Sequence, residues 1–375
     1  MTMLNGFAYD ELSFGADGTP SDPAQSRTAP PLALGADVTD LLVLSHGWND
    51  DAPTARALYD GLTSAMARCG GAPPGLAVLG ILWPAKRYGA APALAAAVAA
   101  DPTGPAAAAL VAGVRDRLGA DLGRLPAAPG WGDPGDGQDA FFAMEPQALL
   151  DRFGQFGFGL SDVLNLATYY EMKARSAAVG RGLAAVLAAV RAARPYLRLH
   201  LAGHSFGARV MASALAAGDP LPISSATLIQ GAFSHYGFSR KWDGAHDGLF
   251  RPALVGGRLT GPMVVTYSHH DEVLGVAYAL ASRLADQPDS AVGPLGGPHD
   301  EFGALGATGA LATPESVWAP MGTFGGQAYA FTAGAVNNLE SSLYIPSHTA
   351  VTCNEVGMAI LGAVNTDEIG TTEAG

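Results

Sequence analysis

A serine, an aspartate and a histidine occur in this chain in an order and a setting that could carry out acyl transfer. The serine is Ser205, in the stretch LRLHLAGHSFGARVM from Leu197 to Met211, whose centre reads Gly203-His204-Ser205-Phe206-Gly207. A bare G-x-S-x-G is a weak sign: with 49 glycines and 20 serines in 375 residues, random placement yields roughly 0.3 copies. Its weight comes from its flanks. Leu197 to Ala202 reads as a buried strand and Ala208 to Ala217 as a helix, so the serine falls on a sharp strand-to-helix turn that presents its hydroxyl at the carboxyl end of a sheet. Such a turn crowds strand against helix, and Gly203 and Gly207 remove the side chains that would collide there. The helix amino terminus adds partial positive charge where an oxyanion would develop.

Serine alone is a poor nucleophile and needs a base, an orienting acid and oxyanion donors. Asp271 follows the apolar run Met263 to Tyr267 in TYSHHDEVLG, just past the carboxyl end of a buried strand, where sites in parallel sheets collect. Glu272 is its neighbour and alternative; His269 and His270 read as local scaffolding. Two histidines downstream compete as base. His299 lies in a Gly/Pro-rich run, 293–303, that is poor at fixed placement. His348, in IPSHTAV, is bracketed by a strand expected at Leu343 to Ile345 and an apolar helix reaching Leu361, and is preferred. The oxyanion donors are assigned to the backbone N–H of Phe206 and of Trp48, in the loop SHGWND after the run Leu41 to Leu44. His46 precedes the nucleophile and reads as a buried loop anchor. His46, Gly47, Trp83 and His204 are the expected pocket residues, with Tyr88 and Phe206 as further aromatics nearby; Trp83 reads equally as a core aromatic. Lys86-Arg87 reads as a solvated edge or an anion contact.

The elements that must hold these residues alternate. Leu41 to Leu44, Leu76 to Leu82, Leu197 to Ala202, Ala226 to Ile229 and Met263 to Tyr267 are continuous apolar runs, as expected of strands covered on both faces. Helical patterns run from about Pro53 to Cys69, capped by Asn49 or Asp50, from Leu166 to Ala193 and from Ala208 to Ala217. The alternation predicts an α/β protein with a mostly parallel sheet. The stretch 88–160, Ala-rich and then loop-like from Leu125 to Gly135, breaks the rhythm and reads as a cap inserted in a single domain, a lid or a decoration.

Composition narrows the classes. A net charge of −13 disfavours nucleic acid and anionic membrane, both of which repel such a surface. Cys69 and Cys353 match no metal spacing and suggest no disulfide framework. Lysine occurs only at 86, 173 and 241, in a chain rich in Ala, Gly and Pro, which reads as genomic base bias. The start, MTMLNGFAYDEL, lacks the basic and apolar regions of a signal peptide, and the run Ala90 to Ala100 is too short to cross a bilayer, so the expectation is a cytoplasmic protein without stable membrane insertion.

LLVLSHGWNDD, LGILWPAKRY, LHLAGHSFGARVM, TYSHHDEVLG and PSHTAV together resemble the α/β-hydrolase fold superfamily, and within it a bacterial group of uncharacterised serine hydrolases; the resemblance spans about Asp37 to Gly362. It implies an α/β-hydrolase fold with helices on both faces of the sheet, the chain order Ser205, Asp271, His348, and cleavage of an ester, thioester or amide through an acyl-enzyme with no cofactor or metal. The HGGG loop of some esterases is replaced here by His46-Gly47-Trp48, which counts against a hormone-sensitive-lipase-like assignment and leaves the substrate open. A carboxylic ester, small or lipid-like, is the expected substrate; a thioesterase, lipase, amidase or peptidase on the same residues, or a non-catalytic binding protein of this fold, are the alternatives.

Overall fold

The computed structural model describes residues 2–21, 34–48, 50–85, 101, 104–105, 160–271, 273–274 and 303–366, with backbone alone at 160–171. Among these residues nine strands, β1 (Thr2–Leu4), β2 (Phe7–Ser13), β3 (Asp40–Ser45), β4 (Leu76–Leu82), β5 (Arg198–His204), β6 (Ser225–Ile229), β7 (Met263–Tyr267), β8 (Ser316–Pro320) and β9 (Val336–Glu340), form one sheet in the order β1-β2-β4-β3-β5-β6-β7-β9-β8. Only the β1–β2 pair is antiparallel; β2 to β9 run parallel. The helices are α1 (Ala52–Arg68), α2 (Leu160–Ala193), α3 (Phe206–Ala216), the single turn α4 (Leu305–Thr308) and α5 (Asn354–Val364). The class is therefore α/β with a mostly parallel sheet.

The apolar runs are explained by burial on both faces. Along β3, Leu41 and Val43 point into one core with Leu79, Ile81, Leu199, Leu201 and Val265, beneath α2 and α3. Leu42 and Leu44 point into a second core with Val78 and Val264, beneath Tyr59, Leu62 and Met66 of α1 and Val356 and Ile360 of α5. Each such side chain, at or near zero exposure, contributes about 1.5–3 kcal/mol on leaving water. A strand with no solvated face can carry no alternation, which is why these runs are unbroken.

The helix Met172–Ala193 is long and apolar enough to cross a membrane by length and composition, at mean hydropathy 1.3, with 44% of its most apolar window buried in the fold. Val179, Leu183, Val186, Leu187 and Val190 lie in the core under the sheet and against α3.

Several expectations need correction. The cap of α1 is Asp51, whose Oδ1 accepts the Thr54 N–H at 3.1 Å; Asp50 instead accepts the Gly47 N–H at 3.0 Å, and Asn49 lies outside the described residues. Residues 342–344 form a turn, with the Tyr344 and Ile345 amides both bonded to the Ser341 carbonyl; the strand before His348 is β9, which ends at Glu340. Helix α2 begins at Leu160. Apart from residues 101, 104–105 and the start of α2, the stretch 88–160 lies outside the described residues, as do Lys86, Arg87, Glu272 and His299.

Candidate active site

Parallel strands deliver their carboxyl ends to one edge of the sheet, and β3, β5, β6, β7 and β9 bring the residues considered above to that edge. Ser205 occupies the single position between β5 and α3, at φ 58 and ψ −122. Positive φ in a residue with a side chain costs on the order of 1–3 kcal/mol and persists only where the surroundings impose it. Here they do: a Cβ on Gly203 would lie 2.3 Å from the Gly207 carbonyl oxygen, and one on Gly207 would lie 2.4 Å from that of Ser45. The Ser205 N–H is bonded to the Ile229 carbonyl at 3.0 Å, and its own carbonyl accepts Ala208 and Ala232. The turn is thus fixed by β6 as well as by its helix.

His348 Nε2 lies 2.9 Å from Ser205 Oγ, and its Nδ1 lies 2.7 Å from Asp271 Oδ2. The three groups sit 4 residues past β7 (Asp271), in the loop between β9 and α5 (His348) and at the start of α3 (Ser205), and they form one continuous hydrogen-bonded chain. Asp271 is 1% exposed. Its Oδ1 accepts the Leu274 N–H at 3.0 Å, and its Oδ2 accepts the Gln230 Nε2–H at 3.1 Å beside the imidazole. An acceptor-only carboxylate facing Nδ1 requires the proton to be there, leaving the Nε2 lone pair toward Ser205.

The loop carrying His348 is held by its backbone. Ser268 Oγ donates to the Ile345 carbonyl at 2.7 Å, Ile345 is fully buried, and His204 Nε2–H donates to the carbonyl of His348 at 2.8 Å. The His204 and His348 rings are 4.9 Å apart. Burial, with His348 adding to it, pushes His204 down to about 3, so it is neutral at ordinary pH. His269 and His270 are exposed; their amides bond locally, to Ser342 Oγ and Ser268 Oγ, and the His269 ring meets Tyr267 edge to face at 5.8 Å.

The loop after β3 lies against Ser205. A Cβ on Gly47 would stand 3.0 Å from Ser205 Cβ and 3.2 Å from His204 Nδ1, and the Trp48 and Phe206 rings meet edge to face at 5.9 Å. His46 is 1% exposed; its Nε2 accepts the Trp83 N–H at 3.2 Å and its Nδ1–H donates to the Gly47 carbonyl at 3.0 Å. Burial pushes it down to about 4. With both nitrogens committed, His46 is an anchor and not a base. Trp83 stacks on His46 at 5.3 Å and is 4% exposed within the core, so it buttresses the loop from inside and presents no surface to a ligand. His204 is likewise an interior support.

A second Asp-His-Ser chain exists at the opposite edge of the sheet: His200 Nε2 lies 2.9 Å from Asp40 Oδ1 and its Nδ1 lies 2.8 Å from Ser225 Oγ. A cavity of about 490 Å³ beside Tyr329, Phe331 and Met358 shares no residue with either chain. Among the described residues no group of three or more His, Cys, Asp or Glu is arranged to hold a metal.

Gln230 and Ser268 were not singled out from sequence. The sequence around Gln230 offers only an unspecific sign, a polar residue after the buried run SATLI at a strand's carboxyl end. Ser268 carried none. The chain matches no protein-family model, no curated protein and no solved structure.

Proposed function

We propose that the chain is a serine hydrolase with an α/β-hydrolase fold that cleaves carboxylic esters through an acyl-enzyme, with a small-molecule or lipid-like acyl substrate. In this reading Ser205 Oγ attacks the acyl carbon while His348 Nε2 takes its proton; Asp271 holds the Nδ1–H tautomer and stabilises the imidazolium that forms. His348 then returns the proton to the leaving alkoxide, and water repeats the sequence on the acyl-enzyme. The observation that carries the reading is the unbroken chain Ser205 Oγ, His348, Asp271 at 2.9 and 2.7 Å, set on a strained turn at the amino end of an eleven-residue helix.

The oxyanion donors are the backbone N–H of Phe206, first residue of α3, and of Trp48. The amides just before them serve the frame: Gly47 N–H goes to Asp50 Oδ2 at 3.0 Å and Ser205 N–H to the Ile229 carbonyl at 3.0 Å. One such donor is worth on the order of 100-fold or more in rate.

The test is labelling by a fluorophosphonate probe with peptide mapping, together with turnover of p-nitrophenyl esters. Wild type is expected to label at Ser205 and hydrolyse the esters, and Ser205→Ala to do neither. Ester turnover at the wild-type rate in Ser205→Ala refutes the reading, and a folded wild type that neither labels nor turns over favours a binding protein. Thioesters and peptides in the same panel separate the thioesterase and amidase alternatives.

A further inference from the structure

A buried glutamine lies under the acid. Gln230 directly follows β6, is 0% exposed and adopts φ +46, a left-handed conformation that a residue with a side chain holds only when its surroundings impose it. What imposes it is a set of hydrogen bonds. Nε2 donates to Asp271 Oδ2 and to the Gly306 carbonyl, both at 3.1 Å. Oε1 accepts the Thr266 hydroxyl at 3.0 Å, and that hydroxyl oxygen accepts the Gln230 backbone N–H at 3.2 Å. Turning the amide end for end would point its oxygen at a carboxylate and a carbonyl, both acceptors, so its orientation follows from its neighbours.

We propose that Gln230 is a positioning residue: it fixes the Asp271 carboxylate under His348 and takes up part of the charge on the one oxygen, Oδ2, that both share. The proposal rests on the Ser205, His348, Asp271 reading above. Gln230 touches no reacting atom, and it acts through Asp271. Within the described residues, the other titratable groups facing this pair are His204, 4.9 Å ring to ring from His348, and His46 behind it; burial keeps both neutral, at about 3 and about 4. His269 and His270 are exposed, and Oδ1 of Asp271 is served by the Leu274 amide. Gln230 is therefore the side-chain donor, besides His348 itself, that tempers the charge on Oδ2.

The consequence is a pH effect. Without the neutral donor, the buried carboxylate stabilises the His348 imidazolium more strongly, so the Nε2 proton that must leave before the imidazole can act as base is released only at higher pH. The acid limb of kcat/KM then moves to higher pH, by about one unit, because a hydrogen bond to a charged group is worth roughly that much. Gln230→Met keeps length and approximate volume and deletes the donor. Thr266→Val keeps shape and removes the hydroxyl that orients the amide, and its limb is expected to move the same way by less.

The experiment measures ester hydrolysis by the full chain from about pH 5 to about pH 9 for wild type, Ser205→Ala, Gln230→Met and Thr266→Val, with thermal melting of each. Expected are an inactive Ser205→Ala, an acid limb raised by about one unit in Gln230→Met, and a smaller rise in Thr266→Val. A limb that stays at the wild-type pH in Gln230→Met while Ser205→Ala is inactive means that Gln230 only packs, and overturns the proposal alone. An active Ser205→Ala overturns the triad reading and the proposal with it. Should Gln230→Met fail to fold, Thr266→Val decides, and an unmoved limb there overturns the proposal.

Discussion

Replacing Asp271 by asparagine tests the geometry around the acid more sharply than deleting it. The carboxylate accepts three bonds: His348 Nδ1–H at 2.7 Å and Gln230 Nε2–H at 3.1 Å on Oδ2, and Leu274 N–H at 3.0 Å on Oδ1. Asparagine offers one acceptor. With its oxygen in the Oδ2 place it keeps two bonds and turns its NH2 on the Leu274 amide; reversed, it keeps one bond and turns its NH2 on two donors. The difference, one hydrogen bond and one donor-donor contact, is ~1–3 kcal/mol, a preference of about tenfold or more. His348 therefore keeps its proton on Nδ1 and its lone pair toward Ser205. What disappears is the charge opposite the imidazolium. A charge-assisted bond is about twice as strong as a neutral one, so the loss in the transition state is ~2–4 kcal/mol, or about 30- to 1000-fold in rate. A histidine forced into the wrong tautomer loses about ten thousandfold. The assay is kcat/KM on a p-nitrophenyl ester, with urea melting expected to show a cost of ~1–3 kcal/mol from the unpaired Leu274 amide. A variant as dead as Ser205→Ala means that the amide is reversed and the orientation argument is wrong. Undiminished activity removes Asp271 from the mechanism and turns attention to Glu272.

Two further outcomes concern stability. His200→Leu breaks the buried bridge between Asp40 and Ser225 and is expected to cost ~2–4 kcal/mol in urea melting while leaving ester hydrolysis per folded molecule unchanged; a lost rate at full folding would refute the separation of the two chains. His46 and His204 are held by burial below their ordinary 6.5, at about 4 and about 3, so on acidification the unfolded chain takes up their protons first. Stability present at pH 7 is then lost as pH falls from about 6.5 toward about 4, at about 1.4 kcal/mol per pH unit for each group in mid-window; urea midpoints that are level between about pH 6 and pH 5 would contradict it.

The central sheet was legible because burial on two faces leaves its mark in residue type. The runs Leu76 to Leu82 and Met263 to Tyr267 coincide with β4 and β7, and the other three expected strands differ from β3, β5 and β6 by one or two residues at an end. Strands without that mark were missed. β8, SVWAP, is an exposed edge ending in proline. β9, VNNLE, hides behind two buried asparagines that bind backbone: Asn337 Nδ2 donates to the Met263 and Thr332 carbonyls, and Asn338 Oδ1 accepts the Ala310 N–H. Polar side chains doing a turn's work inside a strand defeat a hydrophobic pattern, and so the strand before His348 was expected at the exposed turn containing Leu343. Ser205 and Asp271 were legible because each follows closely on the end of a buried strand; His348 was reached through the chain order that the resemblance implies and through its place before an apolar helix. Gln230 was not legible, since a single polar residue after a strand has many uses and its partners are far away in sequence.

The two Asp-His-Ser chains show what the three side chains need beyond each other. Both are hydrogen bonded throughout, and Ser225 and Ser205 are similarly buried, at 2% and 4% exposure. At the amino edge, Ser225 opens β6 in register with His200 of β5. His200 faces it with Nδ1 and gives Nε2 to Asp40. Asp40 also binds Arg198 Nε at 2.7 Å and the Thr39 hydroxyl at 2.7 Å. Burial alone would raise its carboxyl, but the bonds from His200, Thr39 and Arg198 outweigh that and hold it at about 2. Its carboxylate is shared among His200, Arg198 and Thr39, and no helix starts at that serine to meet a developing oxyanion. At the carboxyl edge the backbone under Ser205 turns through φ 58 into α3, and the Gly47 loop closes against it. The aspartate there is paired with neutral donors apart from the histidine it serves. In the proposed reading it is the carboxyl end of the strand, with its strained turn, helix start and adjoining loop, that separates Ser205 from Ser225, a serine bonded the same way at the start of a strand.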